Sequence, residues 1–366
     1  MIILFVIPSL GRGGAERAAS LLLREWAKEH TVKVVLFDDA NPAYRHGGEM
    51  ISLSLPAKAG FPGKAVNFAR RLAALFFLMR SMKPDLIVSF TEAANFPALM
   101  AAAASGNRRR TVVSVRTNPA KLLLCYRLLQ PLVYRLAGSV VAVSPGVREA
   151  LVGDFRLPAG KCRVIPNPVD LEMAFELQKD DVAEGHRDWF SGSCPCFLAA
   201  GRLHRQKGFD LLLQALVLLK KRHAFRLMIL GEGGEMRKLE AQIEKLGLAG
   251  RVFLAGAVAN PFPYYRQAYA FVLSSRYEGW PNVLAEAMAC GCPVISFDCP
   301  YGPGDLIRHG ETGLLVPPED VPALAGAMEQ LLSDGPLRRR LAAGGAEAVR
   351  RYDIKIIAQK WLEITA

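Results

Sequence analysis

Short apolar runs alternate with helical stretches along the whole chain, and the alternation occurs as two consecutive series. The first series of apolar runs lies at 2–7, 32–37, 86–90, 111–115, 139–143 and 163–165. The second lies at 197–200, 227–230, 251–254, 271–274, 294–297 and 314–316. Runs of this length that alternate with helices are typical of a parallel sheet with crossover helices. We therefore predict an α/β protein with two parallel sheets, which suits a chain of 366 residues, too long for one ordinary core.

The two series are separated by the segment Pro166, Asn167 and Pro168. Proline disfavours helix in the residue before it and restricts the backbone, so this segment is the best candidate for a linker between domains. The sequence therefore predicts a first domain over residues 1–168 and a second over 169–353.

The formal net charge of +12 is confined to the first half of the chain. Residues 1–170 contain 23 Lys and Arg against 11 Asp and Glu, whereas residues 171–366 contain 23 of each kind. A uniformly basic protein would suggest nucleic acid. A basic half joined to a neutral half indicates a face turned towards an anionic membrane or acceptor and no nucleic acid, with a plain solvated surface as the alternative.

Two segments of the basic half, 64–83 and 121–135, alternate apolar with basic residues. Both could lie at a membrane surface, although helices that pack on a sheet show the same alternation. No stretch of 18 uninterrupted apolar residues occurs, and the first residues resemble a β-strand rather than a secretion signal. The seven cysteines lack the spacing of a zinc site. We therefore expect reduced thiols and a cytoplasmic protein at the inner face of the cell membrane.

Two carboxylates eight positions apart, Glu278 and Glu286, lie in a strand, loop, helix and strand sequence over residues 271–298. Glu278 precedes the helix and Glu286 lies inside it. The helix start, with Asn282 as a possible cap, offers free backbone N–H groups to a phosphate. Glu286 could accept from ribose hydroxyls and Glu278 from sugar hydroxyls or amides. A glycosidase pair, which needs roughly 5–9.5 Å between carboxyls, is the alternative that this setting disfavours.

Glycines follow the first strand at Gly11, Gly13 and Gly14, where a helix begins. Such a turn lets backbone amides approach an anion at a helix N-terminus, but it also suits a plain tight turn. The spacing is not that of the dinucleotide fingerprint, so a nicotinamide cofactor is not expected.

Two cationic residues, Arg202 and Lys207, follow the strand at 197–200 and precede a helix. The carboxyl edge of an α/β sheet is where ligands bind, and this pair could neutralise a pyrophosphate leaving group without a metal. No Asp-x-Asp motif is present to hold Mg²⁺ or Mn²⁺, so no metal cofactor is expected.

Three motifs occur in order: GGAER at 13–17, GRLHRQKG at 201–208, and the E-x7-E pattern of Glu278 and Glu286. Together the motifs resemble those of the family-four retaining glycosyltransferases of the GT-B fold. The resemblance implies two facing Rossmann-like domains with parallel sheets and an interdomain cleft. It also implies a UDP-sugar donor on the second domain, an acceptor on the first, and a last helix at about 354–366 that packs back on the first domain.

The same resemblance assigns roles to individual residues. The catalytic candidates are Arg202, Lys207 and Glu278. The donor-binding candidates are Gly13, Gly14, Val258, Gly279, Asn282, Val283 and Glu286, of which Val258 would contact the nucleobase through its backbone. Many family members have a histidine in the first domain near the reacting carbon. Here the strand at 111–115 is followed by Arg116, Thr117, Asn118 and Pro119 instead.

Four residues after strands of the first domain are candidates to contact donor sugar or acceptor: Arg116, Asn118, Glu92 and Asn95. A structural role in the turns is the alternative. The loop at 298–303 resembles that of bacterial enzymes that build undecaprenyl-diphosphate oligosaccharides. We therefore expect transfer of a hexose or N-acetylhexosamine from a UDP-sugar to a lipid-diphosphate-linked or polysaccharide acceptor in cell-envelope glycan assembly. The alternatives are a nucleotide-sugar 2-epimerase of the same fold and a non-enzymatic protein that binds surfaces through its basic half.

Overall fold

The computed structural model describes residues 1–38, 42–56, 60–119, 122 and 124–364. The chain divides into two compact units. The first comprises Met1–Pro168 and the C-terminal residues from Ile354 onward, and the second comprises Val169–Asp353. The division after Pro168 falls at the residue where the two series of apolar runs separate.

The first unit contains a sheet of seven parallel strands in the order β3-β2-β1-β4-β5-β6-β7. The strands are β1 (Ile2–Ile7), β2 (Thr31–Leu36), β3 (Glu49–Ser52), β4 (Leu86–Phe90), β5 (Thr111–Val115), β6 (Ser139–Ala142) and β7 (Cys162–Val164). The helices between them are α1 (Gly14–Trp26), α2 (Phe61–Met82), α3 (Glu92–Ala104), α4 (Leu124–Val133) and α5 (Pro145–Gly153). Helices α2 and α3 and strands β1, β2 and β4 share one apolar core.

Among the strands of the described residues, β3 alone was not predicted from the apolar runs. Its residues Glu49, Met50, Ile51 and Ser52 lie at the edge of the sheet, and most of them are exposed. An edge strand needs little apolar surface because only one neighbour covers it. The central strands β1, β4 and β5 are buried on both faces, and their sequences are correspondingly rich in apolar residues.

The second unit contains a sheet of six parallel strands in the order β10-β9-β8-β11-β12-β13. The strands are β8 (Cys196–Ala200), β9 (Arg226–Leu230), β10 (Val252–Gly256), β11 (Ala270–Leu273), β12 (Val294–Phe297) and β13 (Leu314–Val316). The helices are α6 (Leu171–Leu177), α7 (Arg187–Phe190), α8 (Phe209–Leu219), α9 (Met236–Lys245), α10 (Phe262–Gln267), α11 (Asn282–Ala289), α12 (Pro303–Leu306), α13 (Val321–Ser333) and α14 (Gly335–Ala348). Helix α8 packs against α13 in the core of this unit.

Each sheet reverses its strand order at one point. In the first unit β1 lies between β2 and β4, and in the second unit β8 lies between β9 and β11. Successive strands are added to one side of this point and then to the other, so the loops at the carboxyl ends of the two central strands diverge and leave a crevice. Ligands bind in such crevices in open α/β sheets, so the loops after β1, β4, β8 and β11 are the first places to look for a site.

The last helix, α15 (Ile354–Leu362), belongs to the first unit. Trp361 is fully buried, with its ring centroid 6.4 Å from that of Trp26 and 5.5 Å from that of Phe90. The Trp26 indole N–H donates to the carbonyl of Ala358 over 3.2 Å. The first unit therefore completes its core with residues from the far end of the chain.

Candidate active site

A partly buried ion pair spans the crevice of the second unit. Lys207 follows β8 and Glu278 follows β11, and the Lys207 ammonium lies 2.6 Å from Glu278 Oε1. The two side chains are 17% and 7% exposed. The Ser275 hydroxyl also donates to Glu278 Oε1 over 2.7 Å. Two of the three predicted catalytic residues are thus brought together at the position where α/β sheets bind ligands.

The backbones of the loops after β8, β9 and β11 lie very close to one another. Gly208 has φ +62°, and a Cβ atom there would lie 2.0 Å from the carbonyl oxygen of Ser274. Gly231, with φ +142°, would place a Cβ atom 1.9 Å from the carbonyl oxygen of Gly201. No side chain fits at such distances, so glycine is required at both positions. The Ser274 hydroxyl in turn donates to the carbonyl of Lys207 over 3.0 Å.

The loop after β12 is attached to the loop that carries Glu278. The Glu278 N–H donates to the carbonyl of Pro300 over 2.8 Å, and the Tyr301 N–H donates to the carbonyl of Glu278 over 3.2 Å. Burial, followed by the nearby charge of Glu278, raises the pKa of the Cys299 thiol above its ordinary value. Cys299 therefore stays a neutral thiol, and all seven cysteines of the chain are free.

Arg276 anchors the same loops and was not predicted from the sequence. Its guanidinium forms two hydrogen bonds to the carboxylate of Asp210, of 2.8 and 2.7 Å, and donates to Glu319 over 3.1 Å. Its backbone N–H donates to the carbonyl of Gln206 over 2.8 Å. The hydrogen bonds to Asp210 raise the pKa of Arg276 above its ordinary value. Two sequence features could have identified this contact. They are the arginine two residues before Glu278 and the aspartate Asp210 at the start of α8.

Glu286 lies inside α11 and is buried. The hydroxyl of Tyr265 donates to Glu286 Oε2 over 3.3 Å. The prediction that Asn282 caps this helix is wrong, because Asn282 is its first residue and Pro281 occupies the cap position without a side-chain hydrogen bond. The Asn282 N–H donates to the carbonyl of Trp280 over 3.1 Å, so this amide is not free as expected.

The remaining donor candidates of the second unit lie on loops at the same sheet edge. Arg202 is exposed and follows β8, and Val258 is half-buried and follows β10. Gly279 is buried beside Glu278, and Val283 is half-buried in the first turn of α11. Within the ranges that the structure describes, no three His, Cys, Asp or Glu side chains come together as a metal site.

In the first unit, α1 begins at Gly14 directly after the extended residue Gly13. A Cβ atom at Gly13 would lie 2.1 Å from the carboxylate of Glu16, so the side chain of Glu16 folds back over this glycine. An anion that approached these amides would meet a carboxylate, which weakens the case for phosphate binding by Gly13 and Gly14 alone.

The side chain of Arg116 forms its contacts within the first unit. Its guanidinium donates to the side chain of Asn167 and, over 3.2 Å, to the hydroxyl of Ser114, and it lies 4.2 Å from the ring centroid of Phe90. Burial lowers the pKa of Arg116 to about 9, while the charge of Glu16 opposes this shift. These contacts favour the structural alternative for Arg116. Asn118 is also buried.

Glu92 and Asn95 lie at the start of α3, directly after β4 at the crevice of the first unit. Both are buried. Burial raises the pKa of Glu92 to about 7, and a hydrogen bond from its own backbone opposes this shift. The Asn95 amide donates to the carbonyl of Ser114 over 2.9 Å and to the hydroxyl of Tyr134 over 2.8 Å.

Helix α2 covers most of the first basic segment, and its basic residues differ in orientation. Lys64, Arg70 and Arg80 are exposed. Arg71 instead points inward, where it donates to the carbonyl of Leu55 and lies 4.4 Å from the ring centroid of Phe37. Burial lowers the pKa of Arg71. Arg71, although it lies in the basic segment 64–83, is therefore half-buried and forms its contacts within the first unit.

Helix α4 covers most of the second segment, whose Lys121 lies outside the described residues. Its exposed residues include the leucines Leu124, Leu128, Leu129 and Leu132 and the cation Arg127. None of the helices in the described ranges combines the length and the hydropathy needed to cross a membrane.

Comparison with known proteins gives a consistent result for both units. Residues 12–173 match the family model for Glycosyltransferase Family 4, and residues 190–348 match the model for Glycosyl transferases group 1. The chain is 30% identical to the N-acetylgalactosamine-N,N'-diacetylbacillosaminyl-diphospho-undecaprenol 4-alpha-N-acetylgalactosaminyltransferase of Campylobacter jejuni, over 98% of this chain and 97% of that protein.

One further relative and one solved structure match nearly the whole chain. The GalNAc-alpha-(1->4)-GalNAc-alpha-(1->3)-diNAcBac-PP-undecaprenol alpha-1,4-N-acetyl-D-galactosaminyltransferase of Campylobacter jejuni is 28% identical, over 100% of this chain and 98% of that protein. HepE of Anabaena, solved in complex with UDP and glucose, superposes with a TM-score of 0.83 at 22% identity, over 99% of this chain and 98% of that one. The structural likeness confirms the predicted fold class of two Rossmann-like units with parallel sheets.

Proposed function

The chain belongs to the group 1 and family-four glycosyltransferases and has their GT-B fold, and from this membership we propose its reaction. The protein transfers a hexose or an N-acetylhexosamine from a UDP-sugar to a lipid-diphosphate-linked or polysaccharide acceptor. The transferred sugar retains its anomeric configuration, and the product belongs to a cell-envelope glycan. The observation that carries this proposal is the pair of Lys207 and Glu278 at the crevice of the second sheet.

The donor is held by the second unit. Glu286 accepts hydrogen bonds from the ribose hydroxyls, and Tyr265 orients its carboxylate through the bond to Oε2. Val258 contacts the uracil base through its backbone. Gly279, in the loop before α11, and Val283, in its first turn, lie near the helix start, where the helix dipole favours a phosphate.

Departure of UDP is the demanding part of the reaction. The bond between the anomeric carbon and the β-phosphate oxygen breaks, and its electron pair leaves with UDP. The acceptor hydroxyl oxygen forms the new bond on the same face of the sugar, and its proton passes to the departing phosphate. Lys207 and Arg202 stabilise the negative charge that develops on this phosphate, a role that a metal would otherwise fill.

Glu278 has a different part in this scheme. Its carboxylate is already bonded to Lys207 and Ser275, so it holds the ammonium in place and leaves its second oxygen for a sugar hydroxyl. The scheme needs no nucleophile from the protein.

The experiment that tests the proposed function is a transfer assay with several UDP-sugars and acceptors linked to undecaprenyl diphosphate. The names of the two Campylobacter relatives make UDP-N-acetylgalactosamine the first donor to try. We expect transfer with retention, and we expect it to persist in excess EDTA. Complete inhibition by EDTA, reversed by Mg²⁺ or Mn²⁺, would refute the metal-free scheme. Conversion of a UDP-sugar to its epimer without acceptor would show the alternative enzyme class.

Glu286→Ala is expected to weaken UDP binding about tenfold or more. The change removes a charged hydrogen-bond acceptor, and such bonds contribute about 1.5–3 kcal/mol. Isothermal titration with UDP measures the effect. Tyr265→Phe is the matched control, because it removes the hydroxyl bonded to Glu286 and keeps the carboxylate, so its UDP affinity should fall only slightly. Unchanged UDP affinity in folded Glu286→Ala would remove this residue from the nucleotide site.

The first unit is proposed to meet the inner face of the cell membrane. Its exposed cations on α2 can contact anionic headgroups, and the exposed leucines of α4 can contact the hydrocarbon beneath. Such a peripheral position would bring a lipid-linked acceptor to the enzyme without a membrane-spanning helix.

The double change Arg70→Glu and Arg80→Glu is expected to weaken binding to anionic vesicles by at least about 30-fold, since each cation near the surface contributes about 1 kcal/mol. Vesicle sedimentation at low and high salt measures this, with UDP affinity unchanged. Arg339→Glu with Arg340→Glu is the charge-matched control, because both arginines are exposed on α14 of the second unit. Equal release by both double variants would mean that net charge alone, rather than α2, determines binding.

A further inference from the structure

The loop that carries Glu278 is supported by a second loop of the same unit. We call residues 278–281 the Glu278 loop and residues 300–302 the supporting loop. Two backbone hydrogen bonds join Glu278 to the supporting loop. Gly302 has φ +94°, and a Cβ atom there would lie 2.8 Å from Pro281 Cδ, so its backbone packs directly on the Glu278 loop. A displacement of either loop therefore moves the other.

One tyrosine contacts both the Glu278 loop and the helix that follows the supporting loop. Tyr352 lies in a short 3₁₀-helix, Val349–Tyr352, after α14. Its ring centroid lies 4.9 Å from that of Trp280 in the Glu278 loop, with 73° between the ring planes. Its hydroxyl donates over 3.0 Å to the carbonyl of Asp305 in α12. Edge-on aromatic pairs of this kind are favourable beyond the area that they bury.

The contacts of Tyr352 continue without a gap to the supporting loop. Trp280 and Tyr352 are only 6% and 7% exposed. The carbonyl of Asp305 also accepts from the Arg351 guanidinium over 2.9 Å, and the Asp305 N–H donates to the carbonyl of Gly302 over 3.1 Å. Burial raises the pKa of the Tyr352 hydroxyl, which therefore remains a protonated donor at neutral pH.

The Glu278 loop has few anchors of its own. Gly279 has no side chain, and Pro281 has no N–H group to donate. The buried indole N–H of Trp280 has no partner among the residues that the structure describes. Packing rather than a side-chain hydrogen bond therefore holds Trp280, and the ring of Tyr352 is part of that packing.

The position of Tyr352 in the chain distinguishes it from an ordinary core residue. The second unit begins at Val169 and ends at Asp353. The Val169 N–H donates to the carbonyl of Tyr352 over 2.8 Å, and Val169 and Asp353 form an isolated parallel bridge. The chain thus enters and leaves this unit at one place, and the side chain of Tyr352 joins that place to the Glu278 loop.

Building on the proposed function, we infer that Tyr352 is a positioning residue for sugar transfer. Its ring fixes Trp280 and its hydroxyl fixes α12, and together these contacts hold the backbone of Glu278 where its carboxylate meets Lys207. Tyr352 does not touch the donor. Misplacement of a reacting group by about 1 Å can cost about a hundredfold in rate. Tyr352 therefore affects turnover more than UDP binding, because the proposed base and ribose contacts lie on other elements.

The first test is steady-state kinetics of the full chain with the donor and acceptor that the wild type uses. Tyr352→Leu is expected to lower kcat by about 10- to 100-fold, while the Kd for UDP changes less than about threefold. Tyr352→Phe keeps the ring, and Arg351 still donates to Asp305, so kcat should stay within about twofold of wild type. A loss of UDP affinity as large as the loss of kcat would contradict a positioning role.

Tyr269→Leu is the matched control. The Tyr269 hydroxyl donates to the carbonyl of Leu331 over 2.7 Å. Its ring centroid lies 5.8 Å from that of Phe197 in an edge-on contact, and Arg338 lies 4.5 Å from the same ring. The control removes the same kinds of contact at the amino end of β11, whereas the Glu278 loop follows the other end of that strand. An equal fall of kcat in both leucine variants would indicate general damage and contradict the inference.

Amide hydrogen exchange measured by mass spectrometry tests the support of the loop without any sugar transfer. The N–H groups of Glu278 and Tyr301 form the hydrogen bonds between the two loops. In Tyr352→Leu, peptides that contain these amides should exchange at least about tenfold faster, whereas peptides from β9 should keep their rate. Unchanged exchange or unchanged kcat in a folded Tyr352→Leu chain would overturn the inference and leave the proposed function intact.

Two further outcomes complete the test. A wild-type chain that binds UDP but transfers sugar to no acceptor overturns the proposed function and, with it, the role of Tyr352 in transfer. If Tyr352→Leu does not fold, Arg351→Ala combined with Tyr352→Phe decides, because it keeps the ring and removes both donors to the carbonyl of Asp305. Exchange at Tyr301 should then rise at least about threefold, and an unchanged rate would overturn the inference.

Discussion

Lys207→Ala is expected to lower kcat by about 10²- to 10³-fold while UDP affinity falls only a few-fold. The ammonium faces charge that develops mainly as UDP departs, so its loss affects the transition state more than the bound donor. Steady-state kinetics with the UDP-sugar and a titration with UDP separate the two effects. Lys220→Ala, which removes another half-buried lysine of the second unit bonded to the carbonyl of Leu246, is the control and should keep kcat.

The pairing of Lys207 with Glu278 adds a second consequence to this change. A buried carboxylate that loses its partner typically costs about 3–5 kcal/mol, so Lys207→Ala should also destabilise the second unit. Adding Glu278→Gln removes the stranded charge and should restore much of the stability without restoring kcat. A double variant that recovered kcat would show that Lys207 acts on Glu278 and not on the leaving group.

Glu92→Gln is expected to raise the free energy of unfolding by about 3 kcal/mol at pH 8 and to change it little at pH 4. The carboxyl has a pKa of about 7 in the folded chain against an ordinary 4.5. Between these values the unfolded chain loses the proton while the folded chain keeps it, so stability falls as pH rises. The penalty is complete above pH 7, and each pKa unit corresponds to about 1.4 kcal/mol. Glutamine cannot ionise, so the variant does not lose this stability as the pH rises.

Chemical denaturation at the two pH values measures this difference. Glu29→Gln is the control, because it removes an exposed carboxyl from the same unit and changes the net charge equally. An equal effect of Glu92→Gln at both pH values would contradict the raised pKa. A variant that is more stable and yet poorer with acceptor would have the trade-off expected of a functional residue, since binding sites retain groups that the fold alone would not.

Much of the fold follows from local sequence. The central strands β1, β4, β8 and β11 are apolar runs because crossover helices bury both of their faces, and such runs can be recognised without a structure. The edge strand β3 was not predicted, because few of its side chains are buried and its sequence therefore lacks an apolar run. The position of α15 in the first unit was expected from the family resemblance, since no local pattern states which sheet a helix covers.

The site was predicted less completely than the fold. Spacing and loop position selected Lys207 and Glu278 as candidates, but their ion pair depends on which strands are neighbours in the sheet. Arg71 and Arg70 are adjacent in sequence and yet point inward and outward, a difference that depends on the packing of α2. Gln130 of α4 gave no signal, because a single amide in an otherwise apolar helix is ordinarily expected on the exposed side, whereas here it is buried.

The place of α15 in the first unit also has a consequence during synthesis. Trp26 and Phe90 leave the ribosome early, but Trp361, which covers them, is translated only after the 185 residues from Val169 to Asp353. At about 5–20 residues per second, this interval lasts roughly 10–40 s. For that time the nascent first unit lacks the side chain that covers Trp26 and Phe90 in the complete fold. The second unit, whose core is contiguous in the chain, can fold first although it is made second.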